Sequence, residues 1–239
     1  MKIMLALVTA TGLVGGGALA VHATRDAQAG IEASASEETA LEPRRVIIGL
    51  DISKSNPLID DPAFAAKVAR RIANIVRGLS FASEVHVRTF GSYDASSNNF
   101  YYDALLSTRN RPEHIGDEIQ KLISGTPMLV KSGKWTSQSR TNILAFLDTV
   151  SRSIGCGGMR TTVILASDGV EDSEYVRLGR LGAKLPPPSG TPFKGCAEMQ
   201  ILGIGQGKNS PIETARLRVE WDRWAQAAGF GYFVGLNDW

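Results

Sequence analysis

The sequence predicts an α/β fold in which a doubly wound, mostly parallel sheet carries helices on both faces. Apolar, β-branched runs alternate along the chain with amphipathic helical stripes, which is the pattern of consecutive βαβ units. The runs "RRVIIGL" (44–50) and "TTVILAS" (161–167) are continuously apolar, as expected of strands covered on both faces. Because neither an internal repeat nor a second core is visible, residues 44–239 are predicted as one domain.

Each element has a local signal. Asp61 as N-cap and Pro62 at the first helical position predict the start of the first helix. Its apolar stripe continues until Gly78. Predicted helices cover residues 62–77, 111–124, 141–154 and 210–229, and the other strands cover 84–92, 100–107, 159–167, 196–205 and 231–236. The strand at 100–107 is short and is expected at an edge. We expect a polar loop at 125–140, and the proline-rich stretch 169–195 cannot be one regular element.

The first 29 residues resemble an export signal. Lys2 is followed by a long apolar stretch and then by small residues, as signal peptidase requires. Cleavage could follow Ala20, Ala23 or Ala29. The alternative is an uncleaved membrane anchor over residues 3–21, although four glycines weaken it. Residues 30–43 are small, polar and acidic, and are predicted to form a flexible tether. The protein is therefore expected in the periplasm or outside the cell.

Charge and cysteine content narrow the function further. The net charge of +2 is small and the basic residues are scattered, so nucleic acid is not an expected partner. In an oxidising compartment two cysteines commonly form a disulfide. Cys156 precedes one predicted strand and Cys196 opens the next, so both are expected at the amino end of the sheet. We predict a Cys156–Cys196 disulfide, with two buried free thiols as the alternative.

Oxygen-bearing side chains follow the predicted strands at the carboxyl edge of the sheet. Asp51, Ser53 and Ser55 leave the first strand at alternate positions in "LDISKSNP", and Asp168 leaves another in "SDGVEDS". Thr141 begins a predicted helix, and the Thr141 hydroxyl can reach the same edge. Ligands in such sheets bind at this edge, near the point where the strand order reverses.

Two carboxylates and three hydroxyls suit a hard divalent cation. Mg²⁺ prefers oxygen ligands and usually keeps several waters, so one or two carboxylates are sufficient. Hydroxyls are neutral ligands, and they leave the ion receptive to a carboxylate from outside. Neither histidine nor cysteine joins the set, which argues against zinc.

The D-x-S-x-S pattern at Asp51, Ser53 and Ser55, with Thr141 and with Asp168 in "ASDG", resembles the metal-ion-dependent adhesion site of von Willebrand factor A domains. The resemblance covers roughly residues 44–236. It implies a Rossmann-like domain with one antiparallel edge strand, and a Mg²⁺ or Mn²⁺ ion, with Ca²⁺ less favoured. It also implies that the ion binds an acidic residue of a partner protein. Ser53, Ser55 and Thr141 would bind the ion directly or through water, and the two aspartates would supply charge.

Other interpretations of these residues remain open. Asp51 and Asp168 could be ordinary turn residues, Ser53 and Ser55 loop hydroxyls, and Thr141 a helix cap. A Mg²⁺-dependent hydrolase with Asp51 as nucleophile is a second alternative, although no histidine is expected at this edge. A metal-free structural domain is the third. We expect a binding module and no enzymatic activity.

Partner contacts are predicted next to Thr141. The loop before it carries Lys131, Lys134, Trp135 and Arg140, which would suit an acidic partner with an apolar anchor. The alternative is that Trp135 folds back onto the core beside solvated lysines. The acidic stretch 171–174 could be a secondary ion contact or a helix start.

Overall fold

The computed structural model describes residues 42–92, 100–207 and 210–239. The compact unit that it describes extends from Glu42 to Trp239. The export signal predicted at 1–29 and nearly all of the tether predicted at 30–43 lie outside the described residues. In the described ranges, no helix combines the length and the apolar character that crossing a membrane requires.

One mixed sheet forms the centre of the domain. Its strands in the described residues are β1 (Arg44–Asp51), β2 (Glu84–Phe90), β3 (Tyr101–Leu105), β4 (Arg160–Ala166), β5 (Cys196–Leu202) and β6 (Tyr232–Leu236). The order across the sheet is β3-β2-β1-β4-β5-β6. Every neighbouring pair is parallel except β2 with the edge strand β3. The Rossmann-like fold, with its single antiparallel edge strand among the described residues, is therefore confirmed.

Helices cover both faces of this sheet. They are α1 (Pro62–Arg77), α2 (Pro112–Ser124), α3 (Thr126–Lys131), α4 (Ile143–Ser153) and α5 (Pro211–Ala228), with a 3-10 turn at Pro57–Ile59. Asp61 caps α1 as predicted, because its side chain accepts hydrogen bonds from two backbone amides of the first turn. The short helix α3 was not expected in the polar loop 125–140; it is too brief to show a helical apolar period.

The core lies on both sides of β1. Ile48 and Leu50 point into one apolar cluster with α1 and α2, while Ile47 points into the other with α4 and α5. All three side chains are fully buried. This two-sided burial explains why the run 44–50 is continuously apolar, since each such side chain contributes about 1.5–3 kcal/mol when it leaves water.

The strand order reverses between β1 and β4. From β1 the chain adds β2 and β3 on one side, and it then crosses over to add β4, β5 and β6 on the other. The carboxyl ends of β1 and β4 are therefore neighbours with loops that leave in opposite directions. In sheets of this kind the resulting crevice is the usual place for a ligand.

The predicted Cys156–Cys196 disulfide is present. It joins the turn before β4 to the first residue of β5, with 4.9 Å between the two Cα atoms. Both cysteines lie at the amino ends of parallel strands, so the disulfide and the crevice occupy opposite ends of the sheet. The crosslink closes off the irregular excursion between β4 and β5.

Replacing both cysteines, as Cys156→Ser/Cys196→Ser, should lower the free energy of unfolding by about 2–4 kcal/mol, because the crosslink spans 40 residues of the unfolded chain. Urea denaturation of the full chain measures this difference. A reducing agent should destabilise the wild type by a similar amount and leave the double variant unchanged. Equal stability of the two oxidised proteins would contradict the expectation.

Candidate metal centre

The carboxylate of Asp51 is buried at the carboxyl end of the central strand, with 0% of the residue exposed. Its Oδ1 accepts a hydrogen bond from the Ser53 backbone amide at 2.9 Å, and its Oδ2 accepts one from the Ser167 hydroxyl at 2.7 Å. Burial raises the pKa of Asp51 to about 6, although these hydrogen bonds favour the charged form. A nearby cation would stabilise the ionised carboxylate.

Ser53 and Ser55 present two hydroxyls side by side. Ser53 is buried and Ser55 is exposed, and their Oγ atoms are 3.4 Å apart. Asn56 fixes the turn that carries Ser53 and Ser55. Its side-chain amide donates to the backbone carbonyl of Asp51 at 2.7 Å and to that of Ala166 at 3.1 Å. Because these carbonyls end β1 and β4, Asn56 ties the turn to both strands of the crevice.

Thr141 is buried between the loops that follow β1 and β4. On one side Gln138 exchanges backbone hydrogen bonds with the first loop, to Lys54 at 2.8 Å and to Ile52 at 2.9 Å. On the other side Thr141 exchanges backbone hydrogen bonds of 3.3 and 2.9 Å with Asp172. Three segments, 51–55, 138–141 and 168–172, are thus joined into one edge, which is called the rim below.

Close approach of the middle segment depends on Gly91 at the end of β2. A Cβ atom there would lie 2.4 Å from Cγ of Gln138, which is closer than atoms can pack. The Gly91 carbonyl also accepts a hydrogen bond from the Asn142 amide at 2.9 Å. A side chain at position 91 would therefore displace the segment that carries Thr141.

Thr141 does not cap the helix that follows it. Helix α4 begins at Ile143, and its cap is Asn142, whose side chain accepts from Ala145 N at 3.1 Å. The prediction that the helix begins at Thr141, and the alternative that Thr141 caps it, are both wrong. Threonine and asparagine are both good caps, so the sequence alone did not separate them.

Asp168 lies directly after β4 and is also fully buried. Its Oδ1 accepts from Val170 N at 2.9 Å, and its carbonyl accepts from Gly205 N at 2.8 Å. The next residue, Gly169, has φ +72° and its carbonyl accepts from the indole of Trp221 at 2.7 Å. Helix α5 thereby holds the loop that carries Asp168.

Glu171 joins the rim to α4. Its Oε2 accepts from the amides of Ile143 at 2.7 Å and Leu144 at 3.2 Å, so a carboxylate serves the positive end of the helix. Burial raises the pKa of Glu171 to about 7, and the charge of Asp51 contributes in the same direction. The stretch 171–174 is not a helix start; Ser173 N donates to Val176 O at 3.1 Å in a tight turn.

The donor set fits a hard divalent cation. The three rim segments carry all five predicted ligands, which are Asp51, Ser53, Ser55, Thr141 and Asp168. In the described part of the chain no lysine, arginine or histidine forms an ion pair with Asp51, although its carboxylate is buried. Among the described residues, no three or more histidine, cysteine or carboxylate side chains are grouped so that they could hold a metal ion. Hydroxyls are therefore needed to complete the proposed shell.

The predicted partner surface is only partly exposed. Lys131, Lys134 and Arg140 are exposed, as expected. Trp135 is half-buried and packs against the ring of Phe100, with 5.5 Å between centroids. Trp135 therefore follows the alternative in which it folds back onto the core, and it is not an exposed anchor.

Sequence reasoning missed several residues that shape the rim. Ser167 donates to Asp51 across the crevice, Asn56 ties β1 to β4, and Gln138 pairs with the first loop. Ser167 carried a usable signal, since it directly precedes Asp168 at a strand end. Gln138 had none, because its partners are distant in sequence, and the local bond of Asn56 to Asp51 gave no sign of its second bond to Ala166.

No protein-family model matches the chain. No curated protein matches it either. Among solved structures it is similar to the pilus adhesin SpaC from Lactobacillus rhamnosus GG, at 12% identity and a TM-score of 0.45 over 83% of this chain and 28% of the adhesin. It is also similar to an aerotolerance-related membrane protein from Bacteroides fragilis, at 14% identity and a TM-score of 0.43 over 82% of this chain and 92% of that one. BatB from Bacteroides thetaiotaomicron gives 17% identity and a TM-score of 0.43, over 82% of this chain and 91% of BatB.

The chain thus spans less than a third of the length of the pilus adhesin. The TM-scores lie below 0.5, so these similarities assign neither a family nor a function. The fold and the rim define the chain as a Rossmann-like α/β domain with an oxygen-rich crevice at its strand-order reversal.

Replacing Glu171 with alanine should lower the free energy of unfolding by about 1–3 kcal/mol, because one buried and one partly buried amide of α4 lose their acceptor. Thermal or urea denaturation measures the loss. Glu174→Ala is the matched control: this neighbouring carboxylate is exposed and, among the described residues, accepts side-chain hydrogen bonds from Asn142 alone, so its loss should be much smaller. Equal effects of the two substitutions would contradict the role of Glu171.

Proposed function

We propose that this protein is an exported protein-binding module of the von Willebrand factor A type. Its rim would bind Mg²⁺ or Mn²⁺, and the ion would accept a carboxylate from a partner protein. The observation that carries the proposal is the buried carboxylate of Asp51 at the strand-order reversal, which accepts from the Ser167 hydroxyl and pairs with no lysine, arginine or histidine of the described residues. A buried charge without a partner is costly, and a bound cation offsets that cost.

The neutral and the charged members of the five proposed ligands would have different roles. Ser53, Ser55 and Thr141 would bind the ion directly or through water, and Asp51 and Asp168 would supply negative charge, partly through bridging waters. Ser167 and Ser53 already hold the Asp51 carboxylate in one orientation. Because the hydroxyls are neutral, the ion keeps enough positive charge to attract an outside carboxylate.

Mg²⁺ and Mn²⁺ suit this set better than Ca²⁺. Ca²⁺ takes about six to eight oxygen ligands and favours several carboxylates, whereas Mg²⁺ binds through one or two and keeps waters. Two aspartates and three hydroxyls, on loops held by backbone hydrogen bonds, match the smaller ion.

The observations at the rim disfavour a hydrolase. A nucleophilic Asp51 would need direct contact with the substrate phosphorus, but the residue is fully buried. Of the histidines in the described residues, His86 pairs with Asp103 at 2.6 Å and His114 lies at the start of α2. Neither is a general acid or base for the rim. We therefore propose binding without catalysis.

Export is part of the proposal. The Cys156–Cys196 disulfide suits an oxidising compartment, and the signal predicted at 1–29 would lead there. The periplasm or the cell exterior would be the destination, with membrane anchoring if the signal is not cleaved. The partner would be a protein that offers an aspartate or a glutamate.

Calorimetric titration of the full chain with Mg²⁺ should give saturable heat. Asp51→Ala and Thr141→Ala should weaken Mg²⁺ affinity by about 10–100-fold, because each removes a proposed member of the shell. Asp60→Ala and Thr136→Ala are matched controls: both residues are exposed and lie near these positions in sequence, and the Mg²⁺ affinity of both variants should equal that of the wild type. Asp51→Asn keeps the side-chain shape and guards against misfolding of the alanine variant. Equal heats in all variants would defeat the proposal.

The binding and enzymatic functions are separated by a phosphatase assay. With Mg²⁺ and a chromogenic phosphate monoester, we expect no turnover that depends on Asp51, because its carboxylate is buried away from an incoming phosphate. Asp51→Asn is the test variant and Asp60→Ala the control. Turnover that is present in the wild type, kept in Asp60→Ala and lost in Asp51→Asn would establish the hydrolase instead.

A further inference from the structure

A groove of about 660 Å³ lies beside the rim, and three arginines line it. Arg140 directly precedes Thr141, whereas Arg177 and Arg180 come from the irregular segment that follows the rim residues 168–172. The remaining lining residues are Ser173, Glu174, Val176 and Ala183. The groove therefore adjoins the rim, because Arg140 belongs to rim segment 138–141 and Ser173 directly follows rim segment 168–172.

The turn that carries Arg177 is fixed by backbone pairing. Asp172 and Arg177 form an antiparallel bridge, and Leu178 N donates to Glu171 O at 2.8 Å. The side chain of Leu178 is fully buried in the core beneath it. Arg177 therefore has a defined position although it lies outside helices and strands.

The segment that carries Arg180 is also held by hydrogen bonds from helix α5. The guanidinium of Arg216, on α5, donates to Leu178 O at 2.6 Å and to Ala183 O at 3.1 Å. Arg216 is itself oriented by Glu213, whose Oε2 lies 2.9 Å from its Nη2. The chain on both sides of Arg180 is therefore fixed, and this arginine is left exposed.

The charges facing the groove are mainly positive. In the described ranges, Arg140 and Arg180 are exposed and their side chains form no ion pair. Arg177 has a loose contact of 3.5 Å with Asp172, which is itself half-exposed. Against them stands Glu174, whose carboxylate is 3.2 Å from the Asn142 amide. Arg180 can therefore bind an anion directly, and Arg177 can do so by giving up its loose contact with Asp172.

We infer that this groove docks an acidic segment of the partner protein whose carboxylate binds the ion, so the inference rests on the proposed function. Guanidinium groups bind carboxylates through two parallel hydrogen bonds, and Arg177 and Arg180 would hold acidic side chains beside the one at the ion. Val176 and Ala183 supply an apolar wall that suits a polypeptide. The groove would therefore select partners with several acidic residues in sequence.

Fluorescence anisotropy of a labelled hexaglutamate peptide tests the inference. The full chain is titrated into the peptide in Mg²⁺ and in EDTA. Arg177→Ala/Arg180→Ala should weaken binding in Mg²⁺ about tenfold or more, because it removes charge-assisted hydrogen bonds. The control is Arg109→Ala/Arg111→Ala, which also removes two positive charges. These two residues follow β3 and lie near the amino end of β2, away from the rim, so the control should bind the peptide as the wild type does.

The outcomes separate this inference from the proposed function. Mg²⁺ heat that is intact in the groove variant, together with weaker peptide binding, supports the inference. Intact Mg²⁺ heat with equal peptide binding by all three proteins would overturn the inference alone. Absence of Mg²⁺ heat in the wild type would overturn the proposed function. Dextran sulfate that binds more tightly than the peptide, with the same arginine dependence, would overturn the assignment to a protein partner.

Discussion

The carboxylate of Asp51 ends the central strand of the sheet at a place that water does not reach. Burial of this kind favours the protonated form unless positive charge or hydrogen-bond donors compensate, and here the pKa rises to about 6. The donors are one backbone amide and the hydroxyl of Ser167 from the adjacent strand end. Neutral donors only partly compensate a buried charge, so the fold concentrates negative potential at the strand-order reversal. The proposed cation is the simplest partner for that potential.

The remainder of the rim serves to keep donors near Asp51. Asn56 ties the ends of β1 and β4, while Gln138 and Thr141 pair with the loops on either side. Glu171 then fastens the second loop to the amino end of α4. Most of these contacts join segments far apart in sequence, so the site forms only when β1 and β4 are paired. The disulfide at the opposite end stabilises that sheet without touching the site.

Much of the fold could be predicted because its signals are local. The apolar run of β1, the Asp61–Pro62 start of α1 and the alternation of strands with helices each follow from neighbouring residues. Boundaries were harder: Thr141 and Asn142 are both good caps, and only tertiary pairing with Asp172 decides between them. The role of Glu171 was not predictable, because its partner amides lie 28 and 27 residues away. Candidate ligands could be found in the sequence since side chains at neighbouring strand ends must meet, whereas the arginine groove depends on an irregular segment without such a rule.

The central claim is that the rim binds a hard divalent cation through hydroxyls as well as carboxylates. Anomalous X-ray diffraction from crystals of the full chain soaked in Mn²⁺ tests it most directly, because the ion itself is located. The account predicts one strong peak at the rim, within coordination distance of the hydroxyls of Ser53, Ser55 or Thr141 and absent from Asp51→Asn crystals. An empty rim at saturating Mn²⁺, or an unchanged peak in the Asp51→Asn variant, would contradict it.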